Sequence, residues 1–205
     1  YGEGDTKAVT KNKNEKVDIK KYNCIKTEKQ LNDWIQELEK EAVISFDTET
    51  TSLNPLEAEL LGVSFSYASN KACYIPIKNK SSTTVNKKVI IEKIKKLLED
   101  PSIIKVGQNF KYDYLVMKKE GVEIDSYDDT MLISYVLDAG LNRHSMDILS
   151  EIHLGHKTIT YKELVGSGKS KIDFVDIDLN KATEYAAEDA DVTLRLYNTL
   201  KPRML

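Results

Sequence analysis

Strands first and helices after, packed around a mixed sheet, is the architecture the sequence predicts, in the α/β or α+β class. Three observations predict it. Strand-like hydrophobic stretches crowd the first part of the chain, helical patterns dominate the remainder, and the turn-forming residues between the early strands leave room only for antiparallel neighbours. With 205 residues, 40% of them hydrophobic, the chain is long enough for one well-cored domain, and nothing in its length demands two.

The first 21 residues are rich in Lys, Asn and Gly, with hardly any large apolar side chains to offset the entropy of ordering a backbone. A flexible tail or linker is expected over 1–21 and the domain over 22–205. Thr27 followed by Gln30, then Leu31, Trp34, Ile35 and Leu38, has the spacing of a capping box opening an amphipathic helix. Strands follow at 42–47, 60–67 and 72–77, separated by polar turns. After a polar loop over 79–84, Val89, Ile90, Ile94, Leu97 and Leu98 recur at helical spacing until Pro101 stops them. Ile103 to Val106 is a short buried strand, and everything beyond it reads as helices joined by loops.

The 30 basic and 33 acidic residues nearly cancel, leaving a formal charge of −3. This balance excludes a sequence-independent basic surface for polynucleotides, so any nucleic-acid recognition must come from a local site and bound cations. Cys24 and Cys73 match neither a zinc spacing nor a disulfide framework and are expected to be reduced, partly buried thiols. No apolar run approaches the roughly 20 residues needed to span a bilayer, and no signal peptide is visible. An intracellular protein without a membrane partner is expected, cytoplasmic and nucleoid-associated if bacterial, with an organelle as the alternative.

Three elements carry chemistry. Asp47 and Glu49 stand two residues apart on a strand, so both carboxylates point to one face where the apolar run ends; hard oxygen ligands of this kind suit Mg2+ or Mn2+. The pair alone is weak, because acid-x-acid triplets arise by chance in so acidic a chain. Asp113 lies one turn into a helix for which Asn109 is the expected N-cap, and by itself it reads more readily as an acid complementing the helix dipole. On the last helix, Ala182, Ala186, Thr193, Leu196 and Leu200 form one face with Asp189 in its middle, while Glu184, Glu188 and Asp191 are expected to project into solvent. A buried, ionised Asp189 requires a strong partner, and a cation is the simplest. Tyr185, one turn earlier, shares its side.

This ordered set resembles the DEDDy branch of the DnaQ-like exonucleases, and within it the proofreading domain of family A DNA polymerases of the bacterial DNA polymerase I type. The likeness runs from about Ile25 to the C-terminus. It extends to the segments 47–50 (DTET), 105–109 (KVGQN), 129–132 (DTML), 156–160 (HKTIT) and 185–193 (YAAEDADVT). It implies a ribonuclease H-like fold, a mixed β-sheet flanked by α-helices. It also implies a two-metal 3′-5′ exonuclease releasing 5′-mononucleotides from a single-stranded DNA 3′ end. The cations would be Mg2+ or Mn2+, with Zn2+ an alternative at one site, and the protein a monomer with a polymerase domain in the same full-length chain.

By the same resemblance Asp47 bridges the two metals, Glu49 and Asp189 complete the first site, and Asp113 serves the second through water. Tyr185, a poor base at neutral pH, orients the attacking water. Thr50, Leu53, Gln108, Asn109, Tyr112, Met131, Arg143 and Tyr161 occupy positions that hold the terminal nucleotides. The family has phenylalanine where this chain has Tyr161. For Leu53 and Met131 core packing is the competing reading. Lys157, Lys162, Lys169 and Lys171, around Gly166 and Gly168, mark a loop that either guides a single strand or is an ordinary surface connection. His144, His153 and His156 have no metal-ligand spacing. Two other readings share these features: a ribonuclease D-like RNA trimmer and a non-catalytic single-strand-binding module.

Overall fold

In the computed structural model, residues 15–80 and 85–204 are described, apart from the side chain of Lys169. The elements run β1 (Asn23–Cys24), α1 (Glu28–Leu38), β2 (Val43–Thr50), β3 (Leu60–Ala68), β4 (Lys71–Pro76), α2 (Lys87–Leu98), β5 (Ile104–Gly107), α3 (Lys111–Lys119), β6 (Tyr127–Asp129), α4 (Thr130–Asp138), α5 (Met146–Leu154), α6 (Tyr161–Val165) and α7 (Leu179–Leu200). The sheet order is β1-β4-β3-β2-β5-β6. β2, β3 and β4 form the expected antiparallel meander, whereas β1, β5 and β6 each pair in parallel. The class is therefore α/β with a mixed sheet.

Two strands escape the sequence reading. β1 and β6 have two and three residues, too few to display an alternating pattern, and only their neighbours in the sheet make them strands. Of the stretch expected to be a tail, residues 1–14 lie outside the described residues. Residues 15–21 lie against the body: Val17 and Ile19 pack on Tyr22, Ala72 and Ala187, and the Asp18 N–H donates to Asn70 at 2.8 Å.

Each face of the sheet has its own core. On one, Ile44, Phe46, Val63, Phe65, Cys73 and Ile75 meet the apolar stripes of α1, α2 and α3. The Thr27–Gln30 capping box that starts α1 is present as predicted and contributes about 1 kcal/mol. On the other face α7 crosses β2, β3 and β4, and Val192, Leu196 and Leu200 close over Val106, Ile133 and Leu149. Four alanines of α7 (Ala182, Ala186, Ala187 and Ala190) are fully buried, and their small side chains let the helix approach the sheet closely. Ser45 locks that approach, donating to the Ala190 carbonyl at 2.6 Å.

Two acids on α7 depart from expectation. Glu188 and Asp191 are buried, at 1% and 0% exposure, rather than solvated. α7 is covered on more than one side, so its polar face meets protein instead of water. Asp191 accepts from Tyr22 Oη at 2.8 Å, from Arg195 Nε at 3.0 Å and from the Asn70 N–H at 3.2 Å. Glu188 bonds His156 and the Ile159 N–H. Both are structural acids whose partners, Arg195 on the same helix excepted, lie far away in sequence.

Candidate active site

β2 delivers the first two carboxylates. Its pleat puts Ser45, Asp47 and Glu49 on the α7 side, and since Ser45 is pinned to α7, Asp47 and Glu49 rise directly beneath that helix. Glu49 lies opposite Gly62 of β3. A Cβ on Gly62 would stand 2.3 Å from the Tyr74 hydroxyl, so glycine is required there for the Tyr74 ring to lie across the strand. From Tyr74 an edge-to-face series continues through Phe174 and Tyr185 to Tyr161, with centroid separations of 6.3–6.4 Å. This aromatic run lies beside Glu49, whose charge is felt by Tyr74, Tyr161 and Tyr185 alike.

α7 supplies Asp189, whose carboxylate converges with those of Asp47 and Glu49 so that one oxygen of each lies within 4.8 Å of the others. Tyr185 shares this side, its hydroxyl directed at Asp189 and favouring the charged form. Asp113 enters from α3. It is 2% exposed, and its Oδ1 accepts from both the N–H of Thr48 (3.0 Å) and its hydroxyl (2.5 Å). The residue between the two strand acids thus holds the fourth acid in place.

Burial raises the pKa of all four carboxyls, and repulsion adds to it, among the four for Asp47 and Glu49, from Glu188 and then Asp113 for Asp189, and from Asp129 for Asp113. Asp113, relieved by the Thr48 donors, is pushed up to about 7. Asp47, Glu49 and Asp189 lie well above the usual carboxylate range. No lysine or arginine is among their main influences. A buried cluster of acids without basic partners is unfavourable as it stands and suited to divalent cations, whose hard oxygen preference it matches. Tyr185 is pushed above its ordinary value by burial and by Asp189, Glu49 and Asp47, so it stays protonated and keeps a hydrogen to donate.

The expected nucleotide contacts are distributed around this centre. Leu53 is 96% exposed on the loop after β2, which removes core packing as its role. Thr50 at the end of β2 and Ser52 on that loop are both tied to the Tyr112 hydroxyl. Tyr161, 44% exposed, stands beside Tyr185. Gln108 is engaged at both ends of its amide, donating to the His144 carbonyl at 2.8 Å and accepting from Thr130 Oγ1 at 2.5 Å. Met131 is half-buried in the first turn of α4, and Arg143 is exposed beyond that helix.

Asn109 is not the N-cap of α3. It sits in the left-handed region at φ 60°, which asparagine tolerates, and Phe110 occupies the cap position without a side-chain bond. The acid doing the capping work comes from β6: Asp129 accepts from the N–H groups of Asn109 and Phe110, both at 3.0 Å, and of Met131 at 2.9 Å. One carboxylate therefore fixes the starts of α3 and α4 together. Sequence reasoning gave roles to neither Asp129 nor Thr48. The signal for Asp129 was an acid directly before a helical run; for Thr48 there was none beyond its place between Asp47 and Glu49.

A family model described as 3′-5′ exonuclease matches residues 22–205. Among curated relatives, DNA polymerase I of Rhizobium leguminosarum is 46% identical over 194 residues, covering 85% of this chain and 19% of that protein. DNA polymerase I of Pseudomonas aeruginosa is 39% identical over 186 residues, covering 87% and 20%. The chain thus spans about a fifth of the length of the relatives it matches. Among solved structures, Brucella melitensis NrnC superposes with TM-score 0.67 at 21% identity, covering 89% of this chain and 80% of that one. Trypanosoma brucei RNase D gives 0.68 at 18% identity, covering 87% and 64%. These likenesses establish the DnaQ-like, ribonuclease H-like fold.

Proposed function

The chain belongs to the 3′-5′ exonuclease domain family of DNA polymerase I, and on that premise we propose that it hydrolyses DNA 3′ ends one nucleotide at a time with two divalent cations, editing for a polymerase carried in the same full-length protein. The observation that carries this reading is the convergence of Asp47, Glu49 and Asp189 without a basic partner. The donor set fits Mg2+ or Mn2+, with Zn2+ an alternative at one site, and one structure of the Brucella neighbour is described as having bound Mg2+.

When bound, two such cations supply Lewis acidity that activates the attacking water and neutralises charge on the leaving oxygen. Asp47, which feels the charges of Asp113, Asp189 and Glu49, would be the ligand common to both cations. Glu49 and Asp189 complete one ligand set. Asp113, with one oxygen committed to Thr48, has its second oxygen left to hold an outer water. Tyr185 acts as a hydrogen-bond donor that orients water beside Asp189, not as a base. Exposed Leu53 and Tyr161 offer apolar and aromatic faces against which a terminal base can rest, which suits a single strand and is indifferent to sequence.

The test is a 5′-labelled single-stranded DNA and a matched RNA, incubated with Mg2+ or Mn2+. Stepwise shortening from the 3′ end with mononucleotide products is expected, faster on DNA, and Asp47→Ala should abolish it. Faster trimming of RNA would move the reading to a ribonuclease D-like enzyme, and no metal-dependent cleavage at all would leave a binding module.

A further inference from the structure

The segment joining α5 to α6 places Tyr161 at the mouth of the site, and its anchorage is unusual. α6 has five residues, too few to hold a position by itself. Its start is set by residues 156–160, which leave α5 through Gly155 in a left-handed turn. Both oxygens of Glu188 are spent on that segment: Oε1 pairs with His156 Nε2 at 2.8 Å, and Oε2 accepts the Ile159 N–H at 2.7 Å. Ser150 adds a third tie, donating to the His156 carbonyl at 2.8 Å. Two residues after Ile159 comes Tyr161, whose ring packs edge-on against Tyr185, one turn before Asp189 on the helix that carries Glu188.

We propose that Glu188 is a positioning residue: through His156 and Ile159 it clips the 156–160 segment to α7, so that Tyr161 is held at a fixed distance from the Asp189 end of the carboxylate cluster to receive the terminal nucleotide. A carboxylate at 1% exposure is costly unless both its oxygens are satisfied, and here the partners come from the segment that needs fixing. An apolar side chain would fill the same space against α7 but leave the Ile159 N–H without its acceptor. The clip ties the nucleotide-receiving ring and a metal-ligating helix into one rigid unit. Its loss should weaken substrate positioning more than the hydrolytic step.

The proposal rests on the exonuclease reading, and its test separates the two. Steady-state kinetics on a single-stranded DNA with Mg2+ would compare Glu188→Ala, Glu188→Gln, His156→Ala and Tyr161→Ala in the intact protein. Glu188→Ala should raise KM about tenfold with kcat held within about threefold. Glu188→Gln, which keeps an acceptor for Ile159, should recover most of that loss, and His156→Ala should show a smaller rise in KM. Adding Glu188→Ala to Tyr161→Ala should raise KM no further, because the clip acts through the tyrosine. Backbone hydrogen exchange supplies a readout independent of catalysis: segment 156–165 should exchange faster in Glu188→Ala and normally in Glu188→Gln, with the sheet unchanged. A fall in kcat at constant KM, additivity with Tyr161→Ala, or unaltered exchange in that segment would overturn the proposal. If Glu188→Ala fails to fold, the Gln and His156 variants decide it. If the protein releases no mononucleotides, the functional reading fails while the exchange result still judges the clip.

Discussion

Asp189 and Asp191 lie two residues apart on one helix, are both buried, and have opposite surroundings. Asp191 is enclosed by donors: the Tyr22 hydroxyl, the Asn70 N–H and the Arg195 guanidinium. Asp189 faces Asp47 and Glu49, with the Tyr185 hydroxyl as its main favourable neighbour. The same buried side chain is thus satisfied by donors in one place and set among other acids in the other. Burial of an acid does not distinguish structure from function; the inventory of its partners does.

Substituting each in turn should separate the two roles. Asp189→Asn is expected to lower kcat by at least about a thousandfold, since it removes a charged ligand from the cation set. Its melting temperature in metal-free buffer should match or exceed that of the parent, because one repelling charge has gone. Asp191→Ala should do the reverse. Leaving Arg195, Tyr22 and Asn70 without their common acceptor is expected to cost about 3–5 kcal/mol in chemical denaturation, with cleavage per folded molecule preserved. If Asp191→Ala abolished cleavage without destabilising the protein, the division between the two faces of α7 would be wrong.

That division explains what was legible in the sequence. Asp189 announced itself because it interrupts an apolar helical face, and the strand pair Asp47 and Glu49 because a period of two puts both on one side. The meander, α1 with its cap, α2 and α7 were readable for the same reason: local pattern and local burial agree. Glu188 and Asp191 were misread as solvated because their partners, His156, Ile159, Tyr22 and Asn70, lie 29 to 169 residues away in sequence, where helical periodicity carries no information. β1, β6 and the double capping by Asp129 were hidden likewise, since short strands and left-handed turns are fixed by neighbours rather than by their own residues. The expected nucleotide-contact residues rest on family resemblance alone.

A smaller effect sharpens the role of the helix on its catalytic side. Tyr185→Phe removes the hydroxyl directed at Asp189 while keeping the ring that packs on Phe174 and Tyr161. It should reduce kcat about ten- to a hundredfold, with KM and melting temperature little changed. A loss as large as that of Asp189→Asn would make the tyrosine a member of the charge-bearing set instead of a donor to water.

The smallest expected effect is on stability, and it comes from the same contrast. A carboxyl whose folded-state pKa is raised binds its proton more tightly folded than unfolded, so its contribution is most favourable below the unfolded value and is lost as pH rises toward the folded one. For Asp113 that window runs from the ordinary value of 3.8 to about 7. Asp47, Glu49 and Asp189 shift in the same direction. Metal-free protein should therefore lose at least about 2 kcal/mol of unfolding free energy between pH 5 and pH 7, measured by urea titration. Added Mg2+ should restore it, because a cation that binds the ionised cluster of the folded state alone opposes protonation. Asp47→Asn should flatten the slope by removing one of the repelling charges. Tyr22→Phe, on the satisfied side of α7, should lower stability by a similar amount across the whole range and leave the slope intact. A metal-free slope of the opposite sign would mean that the four carboxylates have cationic partners after all, and that the two faces of α7 do not differ in the way their hydrogen bonds indicate.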